Sequence, residues 1–351
     1  MGINNLYKII KKYSPESITK VNLNKFAYKK IGVDTNLYMY KYKVIFGEDN
    51  WLRAFVNMIC CFRKNEIHPI FIIDSKAPIE KQEEQKHRRE QRQKLVEKLK
   101  VIENDYELYK SDGTITDTLK SICESDKKHP LLLITKNVFR EDTIINKINT
   151  LKNQTISISK DDYDAAKKLF KVLHIPYFDA TTEAEATCSY LNNIGKISAV
   201  LTEDTDVLAY GTNIFLNNIN VHEETCMQIN TKKLLKNLDM KQNEFTDMCI
   251  MCGTDYNKNI PKIGPIKSYN LIKEYKSIEK VEENTKLDIS ILKHNRSREL
   301  FTFPEKYFEK KIYYCKPIDI NKVQKFLFEN NCRIDISYIS DCFKSKELIF
   351  I

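Results

Sequence analysis

Apolar positions near the start of the chain recur at helical spacing, with Leu6, Ile9, Ile10 and Tyr13 on one side, and Ser14-Pro15 then turns the backbone. Lys29-Lys30-Ile31-Gly32-Val33-Asp34 reads as a short buried strand closed by an acid. From Trp51 to Phe62 the pattern is helical again, with Trp51, Leu52, Phe55, Met58, Ile59 and Phe62 apolar. His68-Pro69-Ile70-Phe71-Ile72-Ile73-Asp74 is a second apolar strand, also closed by an acid. Strand, helix and strand of these lengths predict a right-handed crossover in a parallel sheet. Sites in such sheets form outside the carboxyl ends of the strands, the edge where Asp34, Asp74 and Asp204 would lie.

Lys81 to Lys100 is dense in charge and free of Gly and Pro, so a helix is expected. A solvated charged face is the plain reading. Lys81, Arg88 and Arg92 recur near helical spacing, however, and on one side they could grip phosphates. Residues 101–160 are less patterned. Glu103-Asn104-Asp105, Ser111-Asp112-Gly113 and Glu124-Ser125-Asp126 mark polar breaks, Leu131 to Ile134 is a short apolar run, and the segment is expected to be an insertion with order of its own. Helices are expected over Asp164–Leu173, leading into Ile175–Asp179, and over Gln242–Cys252 and Ser268–Tyr275, with strands over Ile197–Thr202 and Asn213–Leu216. Ile260 to Lys267 is a tight turn between helices. Its glycine turn, at Gly264, could present backbone N–H groups to a DNA phosphate, where the alternative is a plain helical hairpin. The expected regions are 1–100, 101–160, 161–280 and a C-terminal helical extension over 281–351.

Charge adds a partner class. The chain has 351 residues and a net charge of +9, from 57 Lys and Arg against 48 Asp and Glu. A basic balance suits a polyanion, and here it surrounds clustered acids. The 10 cysteines, with no secretory apolar core at Met1-Gly2-Ile3-Asn4, suggest free thiols in a reducing compartment. Cys249 and Cys252 form a lone pair and read as core rather than zinc ligands. Leu6 stands where a myristoylation start wants Ser or Thr. No apolar run approaches membrane-spanning length.

The centre of gravity is Thr181 to Tyr210, which holds Glu183 with Glu185 and Asp204 with Asp206 around an apolar run. On a strand, Asp204 and Asp206 would point to one side. Glu183 and Glu185 would converge from a loop and a first helical turn, although Thr182-x-x-Glu185 alone also reads as a capping box. Acids gathered at a buried strand end are costly without a positive charge among them, and a hard divalent cation takes oxygen ligands.

Taken in order, these pieces resemble the XPG-type structure-specific nucleases, and most closely their flap endonuclease branch. The resemblance is carried by Met1 to Leu6, Val33-Asp34-Thr35-Asn36, Phe71 to Pro78, Asp179 to Ala186, Thr202 to Leu208, and Cys252 to Tyr256 ahead of Ile263-Gly264-Pro265. It implies an α/β fold: a central, mostly parallel sheet flanked by helices (the PIN-like 5′-nuclease fold), with a helical arch and a helix-hairpin-helix. It also implies two magnesium ions held by Asp34, Asp74, Glu183, Glu185, Asp204, Asp206 and Asp255. One would acidify a water and the other would stabilise the leaving oxygen.

By the same resemblance Lys81 and Arg88 contact the scissile phosphate, Tyr40 stacks on a flipped nucleotide, and Lys267 serves the hairpin, which in the family also holds potassium. Ser75 and Lys262 stand where the family has glycine, and the region between Arg92 and Tyr163 is longer than usual. The implied activity is cutting of branched or 5′-flapped DNA in replication or repair, by a monomer, in the nucleus or at a cytoplasmic replication site. No clear sliding-clamp tail follows, and Gln324 to Phe328 reads as a helix packed on the core. A 5′ exonuclease, a junction resolvase, an RNA-cutting relative and a non-catalytic junction binder are the alternatives.

Overall fold

The computed structural model describes residues 2–124, 139–304 and 307–344. It divides into two units, one of Met1–Lys81 with Ile158–Ile351, the other Gln82–Ser157.

The first unit is built on a 7-stranded sheet in the order β1-β7-β6-β5-β2-β3-β4. The strands are β1 (Ile18–Asn22), β2 (Lys30–Asp34), β3 (His68–Ile73), β4 (Tyr177–Asp179), β5 (Ala199–Leu201), β6 (Ile214–Asn220) and β7 (Thr225–Asn230). Pairs β2–β3, β2–β5, β3–β4 and β5–β6 are parallel, while β6–β7 and β1–β7 are antiparallel. The sheet is therefore mixed and mostly parallel.

Alternate side chains of the central strands feed two cores. Ile70, Ile72, Val200 and Phe215 join the core that includes α1 (Leu6–Tyr13). Ile31, Val33, Phe71, Ile73, Leu201 and Leu216 join the other, with α2 (Thr35–Phe46) and α3 (Trp51–Lys64). Phe71 stacks on Phe170 at 4.3 Å between ring centroids, tying β3 to a helix of the second core. With no charged residue along its buried face, β3 is solvated only past its end, where Asp74 begins the loop.

The second unit holds most of α4 (Ile79–Asp112), then α5 (Asp117–Glu124) and α6 (Glu141–Thr155). Leu99, Ile102, Tyr106, Leu119, Ile144, Ile148 and Leu151 form its core. Helices α7 (Lys160–Val172), α8 (Ala184–Asn193), α9 (Asp206–Ala209) and α10 (Thr231–Leu238) return to the first unit. They are followed by α11 (Gln242–Cys252), α12 (Pro265–Tyr275), α13 (Ile278–Thr285), α14 (His294–Leu300), α15 (Ile320–Glu329) and α16 (Ile336–Phe343).

Several expectations are corrected. Glu103-Asn104-Asp105 breaks nothing: α4 runs through it, because Leu99, Ile102 and Tyr106 at helical spacing are buried. Asp112 does end α4, while the other break, Glu124-Ser125-Asp126, begins at the last described residue before a stretch, including Leu131 to Ile134, that lies outside the described residues. β1 and β7 were not anticipated. Their patterns, Ile-Thr-Lys-Val-Asn and Thr-Cys-Met-Gln-Ile-Asn, are too polar to stand out. Asp204 and Asp206 do not share a strand: β5 stops at Leu201, Asp204 is in the loop and Asp206 opens α9. On α15, Phe326 and Leu327 are buried but Phe328 is 86% exposed. The cysteines are free thiols, and Cys249 and Cys252 are core residues.

Candidate active site

Each acid is delivered by the end of an element at the carboxyl edge of the parallel strands. Asp34 closes β2 and caps α2, its Oδ1 accepting from Leu37 N at 3.1 Å. Its Oδ2 accepts from Thr202 Oγ1 at 2.9 Å. Asp74 follows β3, and its Oδ1 accepts from Ala184 N at 2.7 Å. Glu183 is the N-cap residue of α8 and Glu185 lies in the first turn. Asp204 Oδ1 accepts from Asp206 N at 2.9 Å. Asp255 follows α11, just beyond Gly253, whose φ of 91° is the left-handed turn that ends the helix.

The cation among these acids is Lys81. Its ammonium lies 2.5 Å from Glu183 Oε1, 3.2 Å from Asp255 Oδ2 and 3.5 Å from Glu185 Oε1. Lys81 is itself buried. Burial alone would lower its pKa, but Glu185, Glu183 and Asp255 overcome that and hold it raised.

One ammonium does not neutralise the cluster. Burial, then repulsion from Asp74, pushes the Asp34 carboxyl up to about 8. Asp74, at the exposed rim, rises to about 6 through desolvation by the surrounding protein and the charge of Glu183, against the Ala184 hydrogen bond. Burial also raises Glu185, Asp204 and Asp206. Asp206 is completely buried, and neither of its carboxyl oxygens finds a hydrogen-bond partner among the described residues. Native proteins rarely leave such a group orphaned.

The all-oxygen donor set and the orphaned Asp206 fit hard divalent cations. The shell is not preassembled: among the described residues no three Asp, Glu, His or Cys groups are arranged to hold a metal ion. Lys81 stands between Glu183 and Asp255.

The remaining expected residues lie on other elements. Tyr40, on α2, is 38% exposed. Arg88 and Arg92 lie on α4 in the other unit, where Arg88 is exposed and pairs with Glu84 at 2.9 Å. Gly264 caps α12, and Lys267 Nζ donates to Lys262 O at 3.4 Å. Lys262 adopts φ 64°, a left-handed conformation natural to glycine and uncommon for lysine.

Sequence reasoning passed over the residues that hold the acids in place. Thr202 bonds Asp34, and also accepts from Asp204 N at 3.1 Å. Tyr256 OH donates to Glu183 Oε2 at 2.7 Å. Gly2, at φ 81°, packs so close that a Cβ would fall 2.2 Å from Asp204 Oδ1. Glu203 accepts from Lys41 at 2.5 Å and Tyr38 at 3.2 Å, tethering α2 to the loop beside Asp204. The adjacent motif was the available signal for Thr202, Glu203 and Tyr256.

A mostly parallel sheet that gathers acids past the ends of β2, β3 and β5, with a buried lysine among them, suits a nuclease. Residues 1–95 match the XPG N-terminal domain and residues 174–255 the XPG I-region. Over 330 residues the chain is 36% identical to a probable RAD2-like endonuclease, 369L, of Invertebrate iridescent virus 6, covering 86% of this chain and 79% of that protein. Over 362 residues it is 30% identical to flap endonuclease 1-2 of Paramecium tetraurelia, covering 94% and 83%. The chain belongs to the XPG family of structure-specific nucleases, in its flap endonuclease branch. Its fold is shared by the catalytic core of Rad2 in complex with DNA substrate, at a TM-score of 0.66 and 15% identity over 97% of this chain and 99% of that one. Flap endonuclease-1 from Methanococcus jannaschii gives 0.59 at 19% identity over 93% and 94%.

Proposed function

We propose that the chain is a magnesium-dependent 5′ nuclease that hydrolyses phosphodiesters in branched or 5′-flapped DNA during replication or repair. The observation that carries this reading is the buried, under-compensated carboxylate cluster, with the Asp206 carboxyl left without a hydrogen-bond partner among the described residues. Asp34, Asp74, Glu183, Glu185, Asp204, Asp206 and Asp255 would hold two magnesium ions. When bound, these ions supply Lewis-acid charge and a more acidic water.

The chain's own residues do the rest. Thr202 and the α2 N-terminus orient Asp34 toward the cluster, and the Ala184 N–H orients Asp74. Lys81, already desolvated, turns its ammonium from the carboxylates to the scissile phosphate as charge builds there. Arg88 and Arg92 supply further phosphate contacts, and Tyr40 offers a ring to an unpaired base. The α11–α12 hairpin, with Gly264 and Lys267 at its turn, grips the duplex backbone, and potassium at that turn belongs to the same reading. The second unit, Gln82–Ser157, plays the part of the arch. The protein acts as a monomer at the site of DNA synthesis, nuclear or cytoplasmic. Relatives from an iridescent virus and a ciliate support this placement. Among the described residues no helix is long and apolar enough to cross a membrane.

The test is cleavage of a 5′-flap DNA with and without EDTA, with blunt duplex, four-way DNA and an RNA flap as parallel substrates. Magnesium-dependent cutting at the flap base supports the reading. Absence of cutting on every substrate removes it, and stronger cutting of four-way DNA reassigns the substrate to junctions.

A further inference from the structure

Glu183 is held from both sides. Lys81 contacts Oε1 at 2.5 Å, and the phenol of Tyr256 donates to Oε2 at 2.7 Å. Tyr256 OH also lies 2.9 Å from Tyr210 OH. With the Tyr256 proton on Glu183, Tyr210 must donate to Tyr256, so the two phenols form a directed chain ending on the carboxylate. Both tyrosines are buried, so neither trades this chain for water. Their rings are clamped by a third element: Phe301 packs edge-on at 4.9 Å from Tyr210 and 5.4 Å from Tyr256, and Phe303 stacks on Tyr210 at 5.3 Å. Tyr256 adjoins Asp255, and Tyr210 closes the short helix opened by Asp206. The chain of phenols thus joins three of the acid-bearing segments.

We infer that Tyr256, backed by Tyr210, is a positioning residue of the nuclease centre, aiming Glu183 at bound magnesium. The inference rests on the metal-dependent reading above. Groups that orient a ligand carboxylate typically change metal affinity when removed, and a tyrosine that only fills a core does not. When Lys81 leaves for substrate, Tyr256 is the contact that keeps Glu183 from rotating. The phenol therefore matters more in the metal-loaded state than in the metal-free one.

The experiment is calorimetric titration of magnesium into the full chain, with thermal melting of the metal-free protein in parallel. Wild type, Tyr256→Phe, Tyr210→Phe, the double variant and Asp204→Asn are compared. Tyr256→Phe is expected to weaken magnesium binding by about 10–100-fold while the metal-free protein melts as wild type does. Tyr210→Phe, one bond further away, should show a smaller loss, and adding it to Tyr256→Phe should change nothing more, because its influence runs through Tyr256. Unchanged magnesium affinity in Tyr256→Phe overturns the inference, and so does a full additive loss in the double variant. If Tyr256→Phe lowers the melting temperature, the Tyr210→Phe affinity decides alone, and its equality with wild type overturns the inference. Equal magnesium binding by wild type and Asp204→Asn is a different failure, for it removes the metal-dependent reading itself.

Discussion

Two charge clusters stand in the first unit, one partly exposed and one buried, and they are built on opposite terms. Near the C-terminal helices, Arg298 meets Asp247 through two bonds of 2.7 Å and Glu279 through bonds of 2.5 and 3.0 Å. Hydrogen bonds from Arg298 pull the Glu279 carboxyl down to about 2. At the strand ends, a single lysine faces a crowd of acids, and Asp34 is pushed up to about 8. The first cluster satisfies itself and pins α11, α13 and α14 together. The second is satisfied only if something else arrives. Paired charge marks architecture, and unpaired charge marks a place held open for a reaction.

Experiments can break that contrast. The largest effect should be Asp204→Asn, which keeps shape and removes charge: flap cleavage falls by about 10²–10³-fold or more while the fold melts normally. Full activity would mean that the acid cluster is architecture too. Next, Arg298→Ala should destabilise the protein without touching metal binding. A fully buried broken pair costs ~3–5 kcal/mol, and partial exposure of Arg298 brings the expected loss to about 2–3 kcal/mol in denaturant unfolding. Magnesium should then raise the stability of wild type by ~2–3 kcal/mol at about 100 times its dissociation constant, and leave Asp204→Asn nearly unmoved, as thermal melts would show.

The pH response divides the clusters again. Asp34 and Asp74 have folded pKa values above their unfolded ones, so the folded protein binds more protons. Their contribution is present below the ordinary carboxylate range and is lost as pH rises through about 6 and about 8. Glu279 runs the other way, its contribution present at neutral pH and lost only as pH falls toward 2. Metal-free protein should melt lower at pH 8 than at pH 6, and magnesium should flatten the slope. A melting temperature that rises across that range would contradict the assignment. The smallest effect is expected from the exposed pair of Lys20 and Glu223, whose removal should leave melting and cleavage as they were.

Asp34 and Asp74 were legible in the sequence because each closes an apolar run, and a strand that cannot bury a charge must end where the charge begins. The parallel core strands were legible for the same reason. The antiparallel strands β1 and β7 were not, because half-exposed strands such as Ile18–Asn22 carry polar residues at most positions. Helix α4 outran expectation at Asn104, where local breaking preference lost to burial of Ile102 and Tyr106 on either side. Nor could sequence place Lys81 against Glu183, since that contact depends on where a helix start meets a loop from the far half of the chain. The phenol of Tyr256 and the hydroxyl of Thr202 were hidden likewise: their neighbours in the motif were conspicuous, and a neutral hydroxyl was not.

The close approach of Gly2 to Asp204 has a practical side. The carboxylate it touches is fastened to the Asp206 amide and cannot swing away, and the backbone there turns in a sense that side chains resist. Swapping this glycine for any bulkier residue, as a cloning scar would, lodges a foreign carbon against the reactive acids. A protein so altered is expected to be pure, folded and silent, and the fault lies at this one glycine rather than in the rest of the enzyme.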